Sequence, residues 1–390
     1  MGSQQLETKT IKDNSFEDIF NGLSARKNNG KDVGRISNGL STNIAQRRQP
    51  DLFKDLSEAQ QNTLSKCDEA HYVDRKGKTI CLSVEDILLV KALSSYIPFN
   101  DPDVQKYIKA VNSMNANGNY STGPKTSITI PVSVLQLSKD IIGDKKEASL
   151  RKVEERLRRL EEIEQVQTFN VNGEKYSMVR PLIRFEEQLY KHYSEIRSSR
   201  GRKKTQESEA KEKKILVGIN IVYSPLFLYE ATNKFCPLYL QRFLKVCKRN
   251  KTELFTILLS DLESKFRQYY LNSLKEEKAA KKKHKDIKES NREEYDRLVS
   301  EAKKKGLIYK SSTLTIRGRV TTDYETNRMQ RNRFLPDLQR AINSLVEYGI
   351  ITEKSFISKE KEVVYFCFNS DFVPKEEEPT FLLSDEAESM

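Results

Sequence analysis

TSITIPVSVLQLSKDIIGDKKEASLRKVEERLRRLEEIEQVQTFNVNGEKYSMVRPLIRF, residues Thr126 to Phe185, is the stretch whose reading decides the fold. Ile128, Ile130 and Val132 alternate as in a short strand and lead into an apolar-periodic segment, Val134-Leu135, Leu137 and Ile141-Ile142. Gly143-Asp144 breaks that helix, and a second, longer one starts near Lys146. Two extended runs follow, Val166-Gln167-Thr168-Phe169 and Tyr176-Ser177-Met178-Val179, joined across Asn172-Gly173. Asn-Gly between extended runs is a strong hairpin signal, because both residues tolerate the positive φ of a type I′ turn.

Helix, turn, helix and hairpin in that order predict a winged-helix unit, in which the second helix enters the major groove of duplex DNA. At roughly 100° of rotation per residue, Leu150, Val153, Leu157, Leu160 and Ile163 share one apolar stripe. Arg151, Lys152, Arg158 and Arg159 fall on the opposite side, where a duplex would lie, and Glu155 and Glu162 share that side. A charged surface helix also shows a buried stripe and a mixed solvated face, so the hairpin and the overall charge decide for groove binding. Lys145 and Lys146, near the helix start, are candidate phosphate contacts because helix N-termini favour anions.

The chain has 390 residues and a formal net charge of +12 carried by Lys and Arg. Its pI is about 9.2. A cationic field of this size favours a polyanionic partner, nucleic acid or an acidic membrane face. No apolar run approaches the length of a membrane span, so no membrane association is expected. Met1-Gly2-Ser3-Gln4-Gln5 lacks the layout of a secretory signal, and Leu6 stands where a myristoylation signal needs Ser or Thr. Cys67, Cys81, Cys236, Cys247 and Cys367 are scattered and form no CxxC pair. They read as small hydrophobes in a reducing cytoplasm, with neither disulfides nor a metal site.

Residues up to about Leu56 are polar and aperiodic and predict a flexible arm, residues 1–60. Residues 65–225 form the expected first domain. In it Val73 to Leu82 resembles a small hairpin, and Ser83 to Tyr96 a helix whose Ser83-Val84-Glu85-Asp86 start carries a capping signature. Tyr190 to Lys214 holds Arg200-Gly201-Arg202-Lys203-Lys204, which reads either as a disordered insertion or as a basic arm on phosphate. Residues 226–373 form the expected second domain. Pro237 to Cys247 and Thr252 to Leu274 read as helices, the latter burying Leu254, Phe255, Leu258, Leu262, Phe266 and Tyr269. Lys275 to Lys305 is charged throughout and suits a solvated helix or an inserted arm.

The last folded part restates the opening motif. Leu314-Thr315-Ile316 is strand-like, and Arg331 to Tyr348 is helical with Leu335, Leu338, Ile342, Leu345 and Val346 buried. Gly349 is a C-cap, Ile350-Ile351 opens a strand, and Phe356-Ile357 and Val363 to Phe368 form a second wing. Arg328, Gln330, Arg331, Asn332, Arg333 and Arg340 are candidate contacts to phosphates and base edges. Residues 374–390 form an acidic tail. The fold class is therefore α+β, two tandem winged-helix domains between a flexible arm and an acidic tail.

This layout resembles the iteron-type plasmid replication initiators. Val217-Gly218-Ile219-Asn220-Ile221-Val222-Tyr223-Ser224-Pro225-Leu226-Phe227-Leu228 looks like the strand closing that family's first domain. Phe235, Leu238-Tyr239-Leu240 and Leu254-Phe255-Thr256-Ile257-Leu258-Leu259 are similar to its entry into the second domain. Lys275 to Lys305 departs from the family as an insertion. The resemblance implies double-stranded DNA carrying origin repeats as the partner, recruitment of host replication proteins and a homodimer that represses its own promoter. The alternative is a transcriptional or excision regulator of a mobile element using the same heads.

No catalytic site and no cofactor emerge from the residues. No GxxxxGK[ST] is present. A nicking enzyme needs paired His ligands and a nucleophilic Tyr. Tyr269-Tyr270 is a tempting pair, but His71, His192 and His284 form no His-apolar-His segment, and the two tyrosines read as helix core and edge.

Overall fold

The computed structural model describes residues 33–37, 41, 70–73, 83–99, 101–107, 129–171, 174–194, 212–223, 227–228, 231, 235–320 and 328–375. The chain is α+β. The elements of the first half are β1 Val33–Ser37, β2 Ala70–Val73, α1 Val84–Ser94, β3 Thr129–Ser133, α2 Val134–Ile141, α3 Glu147–Glu161, β4 Glu164–Val171, β5 Glu174–Pro181, β6 Ile183–Ser194 and β7 Glu212–Tyr223. The second half comprises β8 Phe235–Tyr239, α4 Leu240–Arg249, α5 Glu253–Lys283, α6 Arg292–Gly306, β9 Ile308–Ser312, α7 Thr313–Arg317, α8 Arg328–Tyr348, β10 Phe356–Ser358 and β11 Val363–Cys367.

α1 lies at the centre. Ser83 and Asp86 form a reciprocal capping box, satisfying two backbone donors that the first turn leaves orphaned. Ile87, Leu89 and Ala92 are fully buried, and Lys91 is buried with them. A helix apolar on nearly every side belongs inside, and one continuous cluster extends from α1 through α3 and β7 to α5, α8 and β11.

Two parts of this architecture repeat. β3 ends in Ser133, whose side chain accepts from Gln136 N at 3.2 Å and starts α2 at once. β9 ends in Ser312, which accepts from Thr315 N at 3.0 Å and starts α7. Each short helix precedes a longer one, α3 or α8, and each longer one precedes an antiparallel hairpin. The sheet orders are β3-β7-β6 and β9-β11-β10, so in both units the second hairpin strand pairs with the leading strand. The units differ by one insertion. β4 and β5 pair from Glu164↔Pro181 to Val171↔Glu174, a register that leaves a two-residue connection at 172–173, outside the described residues. This hairpin joins β2 and not β3. The strands that close on β3 are therefore the longer pair β6–β7, not the Asn172-Gly173 hairpin that the sequence nominates as the wing.

Several expectations are corrected. The polar arm supplies β1, which pairs antiparallel with β8 from Val33↔Tyr239 to Ser37↔Phe235. Ile36 is buried, and the Arg35 guanidinium lies over Phe99 and Phe235 at 5.1 and 4.4 Å. Phe235 to Tyr239 is consequently strand, and the helix read from Pro237 begins at Leu240. β2 pairs with β4, and the hairpin read over Val73 to Leu82 lies, beyond Val73, outside the described residues. Leu314-Thr315-Ile316 is helical because the Ser312 hydroxyl caps it, and the strand is Ile308–Ser312. Ile351 makes an isolated bridge to Phe368 without opening a strand.

Of the two readings of Lys275 to Lys305, the helical one holds. α5 runs on to Lys283, and α6 packs back along it. Ala280, Tyr295 and Val299 form a small core of their own between the two helices, with Ile287 and Ala302 against it. Gly306 allows the close approach, since a Cβ there would stand 2.6 Å from Ser273 Cα. Gly349 does cap α8, at φ +94°, beside Arg242, whose Nη1 donates to the Tyr348 carbonyl at 3.1 Å. Residues 1–32, the segment holding Arg200 to Lys204, and the tail from 376 lie outside the described residues.

Candidate nucleic-acid interface

α3 buries Leu150, Val153, Leu157 and Leu160, with Ile163 just beyond it, as the periodicity requires. Gly143, at φ +108°, turns the chain between α2 and α3. Lys145, Lys146, Arg151, Lys152, Arg158 and Arg159 are all exposed. Their partners divide them. Arg151 bonds Glu147 one turn earlier at 2.8 Å, both side chains being open to solvent. Arg158 reaches across to β6, donating to Tyr190 Oη at 2.6 Å and Gln188 Oε1 at 2.9 Å. Arg159 stands 3.3 Å from Asp86 of α1, whose side chain is 1% exposed. Arg158 and Arg159 thus fasten α3 to its own scaffold, while Arg151 and Lys152 face outward.

The N-terminus of α3 already holds an anion. Asp144 Oδ1 accepts from Lys146 N at 3.1 Å, and Lys146 Nζ lies 3.8 Å from the same carboxylate. A hydrogen bond from the Ser149 side chain, then that from the Lys146 backbone, holds the Asp144 carboxyl below its ordinary range. A phosphate approaching here would meet a carboxylate first, so this is not an open helix end, and Lys145 and Lys146 offer their exposed side chains alone.

In the second unit α8 begins three residues earlier than expected, at Arg328. Arg328, Gln330 and Arg331 are described as backbone only. Asn332 and Arg333 are exposed, and Arg340 is exposed while paired with Asp337. Phe334 is buried at 4%, whereas Leu335, expected inside, is 38% exposed. The apolar stripe runs through Phe334, Leu338, Ala341, Ile342 and Leu345, which turns Leu335 outward. Gln339 and Asn343 are also exposed, and Gln339 Nε2 donates to Asn343 Oδ1 at 3.0 Å. Neither stands among the candidates that the sequence nominates, which apart from Arg340 cluster around the start of the helix. With Leu335 turned outward and Phe334 and Ala341 inside, rotation of the stripe brings both to the side opposite the core.

The sheet of this unit carries a second unforeseen feature. Phe356 of β10 is 52% exposed and stacks on Tyr365 of β11, centroids 4.8 Å apart and planes at 7°. Lys310 of β9 lies over the Tyr365 ring at 5.2 Å. The register Phe356↔Tyr365↔Lys310 makes this a cross-strand ladder on the solvent face.

Tyr270 is buried against Phe266, and Tyr269 packs on Tyr309 and Phe368. Burial, then the Asp261 charge, raises the Tyr269 hydroxyl above its ordinary range. Cys236 and Cys247 are buried, with their thiols likewise raised by desolvation; Cys67 and Cys81 lie outside the described residues. Among the described residues no cluster of three or more His, Cys, Asp or Glu could hold a metal, and no helix is long and apolar enough to cross a membrane.

No family model and no curated protein matches this chain. Among solved structures, the crystal structure of domains 2 and 3 of RctB is similar at a TM-score of 0.35 and 11% identity, covering 86% of this chain and 99% of that one. A likeness of that size carries neither fold nor function across.

Proposed function

We propose that this chain is a non-enzymatic, sequence-specific binder of double-stranded DNA that reads repeated sites with two winged-helix heads and initiates replication of a plasmid or mobile element. One observation carries the reading: the same strand, Ser-capped short helix, longer helix and closing hairpin occur twice, with equivalent sheet orders. In each unit the longer helix turns a polar, cation-bearing face to solvent. A helix so held, next to a hairpin, suits the major groove, and the +12 charge supplies the non-specific attraction to phosphate. In the first unit the connection 195–211, with Arg200, Arg202, Lys203 and Lys204, joins the paired ends Ser194 and Glu212 of the wing. The initiator role, with host replication proteins as partners and a homodimer as repressor, comes from the resemblance to iteron-type initiators and goes beyond the geometry.

A footprint on the DNA flanking the gene tests the binding. Protection of repeats supports it, and no protected repeat ends it. A plasmid carrying only this gene and its flanks then separates an initiator, which replicates it, from a regulator, which does not.

A further inference from the structure

We infer that the exposed face of α8 reads A·T base pairs, with Gln339 and Asn343 as the residues that determine specificity. The inference rests on the proposal that α8 enters a major groove and adds which bases it recognises there.

The three described amides of α8 lie in one row. Counting roughly 100° per residue from Asn332, Gln339 falls about 20° to one side and Asn343 about 20° to the other. All three are exposed, and Leu335 and Pro336 border the row, also exposed. Gln339 and Asn343 are one turn apart and joined by their own hydrogen bond at 3.0 Å. That bond restrains two otherwise mobile side chains and leaves an acceptor on Gln339 and donors on Asn343 for a third party.

The chemistry selects the base. Adenine presents an N6 donor beside the N7 acceptor, which asks for one acceptor and one donor, as an amide supplies. Thymine presents a methyl group, which asks for an apolar contact such as Leu335 or Pro336. Guanine presents two acceptors and is met best by a guanidinium. The described arginines lie off this row, Arg333 at its flank and Arg340 held by Asp337. α3 is built differently: its exposed side chains include Arg151, Lys152, Glu155 and Arg158 but neither Asn nor Gln. The two heads therefore read different chemistry, and the preference for A·T belongs to the second.

Selection of randomised duplexes by the full-length protein, followed by sequencing, tests this. The wild type is expected to enrich a block of A·T pairs. Gln339→Ala and Asn343→Ala should each lower discrimination within that block by roughly ten- to a hundredfold, with affinity for random duplex unchanged. Replacing the block's adenines with 7-deazaadenine removes N7 while keeping the pairing. It should weaken binding by the wild type but leave the Asn343→Ala variant indifferent. A G·C block in the wild-type pool, an unchanged block with both variants, or wild-type indifference to 7-deazaadenine would overturn the inference and leave the DNA-binding reading standing. Absence of any enriched sequence would overturn both.

Discussion

Lys91 of α1 and Glu263 of α5 form an ion pair in which both side chains are wholly buried. Ser41, from the amino-terminal segment, donates to the same Glu263 Oε2 at 2.9 Å, and the Lys91 ammonium lies over the Phe243 ring. One carboxylate thus joins the centre of the first unit, the long helix of the second and a residue from the expected arm. Removing one partner strands the other charge without water, which costs about 3–5 kcal/mol. Glu263→Gln should therefore lower the urea midpoint steeply, while Lys91→Met with Glu263→Leu recovers most of the loss. An unchanged midpoint for Glu263→Gln would show that the pair is not buried.

The basic residues of α3 should separate by task. Arg159→Ala leaves the buried Asp86 without its cation and should cost about 1 kcal/mol of stability. Arg151→Ala breaks an exposed pair with Glu147, worth about 0.3–0.5 kcal/mol, and should leave the melting temperature nearly unchanged. Its effect belongs to DNA: cognate binding should weaken much more than binding to random sequence. Lys146→Ala should weaken both alike and flatten the salt dependence. Equal losses on cognate and random DNA for all of them would reduce this face to a non-specific surface.

Local signals carried the reading of the first unit. A Gly that ends a helix and a two-residue hairpin connection each act within a few residues, and each stands where the sequence placed it. Non-local pairing was not legible. β1 offers only Val33 and Ile36 as apolar residues, and its partner begins some two hundred positions later. β4 and β5 could be paired with each other from the turn between them, but nothing local assigns that hairpin to β2 in preference to β3. For Lys275 to Lys305 the helical reading holds, while the surface that seats the segment was not legible. Three buried side chains suffice to seat α6 on α5, too few to stand out among lysines. At the candidate interface the exposed cations were found, while Gln339 and Asn343 emerge only once the buried stripe of α8 is fixed by its true members.

The same arm gives a pH prediction. Glu277 of α5 accepts from Lys281 at 2.6 Å and pairs with Lys303 of α6 at 3.0 Å. The Lys281 hydrogen bond, followed by that from Lys303, holds its carboxyl below the usual 4.5. A folded-state value below the unfolded one stabilises the paired state above the unfolded value, and that stabilisation is lost as pH falls through the folded value. Amide protection factors over residues 292–306 should therefore drop in the acid range below pH 4.5. In Glu277→Gln they should be lower at neutral pH, and the component due to this group should vanish. Identical acid profiles for wild type and variant would show that Glu277 does not hold the arm.

The β1 strap makes the last prediction. Gly34 sits where a Cβ would lie 3.0 Å from Ser95 Cα and 3.3 Å from its Cβ. Its neighbours Arg35 and Ile36 are buried, and the strand is paired to β8 along its whole length. Ser95 is the C-cap of α1, and the atoms met are its Cα and Cβ, which no side-chain rotation moves. A branched side chain at position 34 must push β1 off α1, and overpacking of this kind costs about 1–3 kcal/mol. Gly34→Val should lower the melting temperature and speed exchange of the amides that β8 carries on either side of Pro237, because β8 has lost its pairing strand. Gly34→Ala should do the same more weakly. If Gly34→Val melts like the wild type and leaves β8 protected, the amino-terminal segment is not a structural strand, and the arm expected from composition is restored.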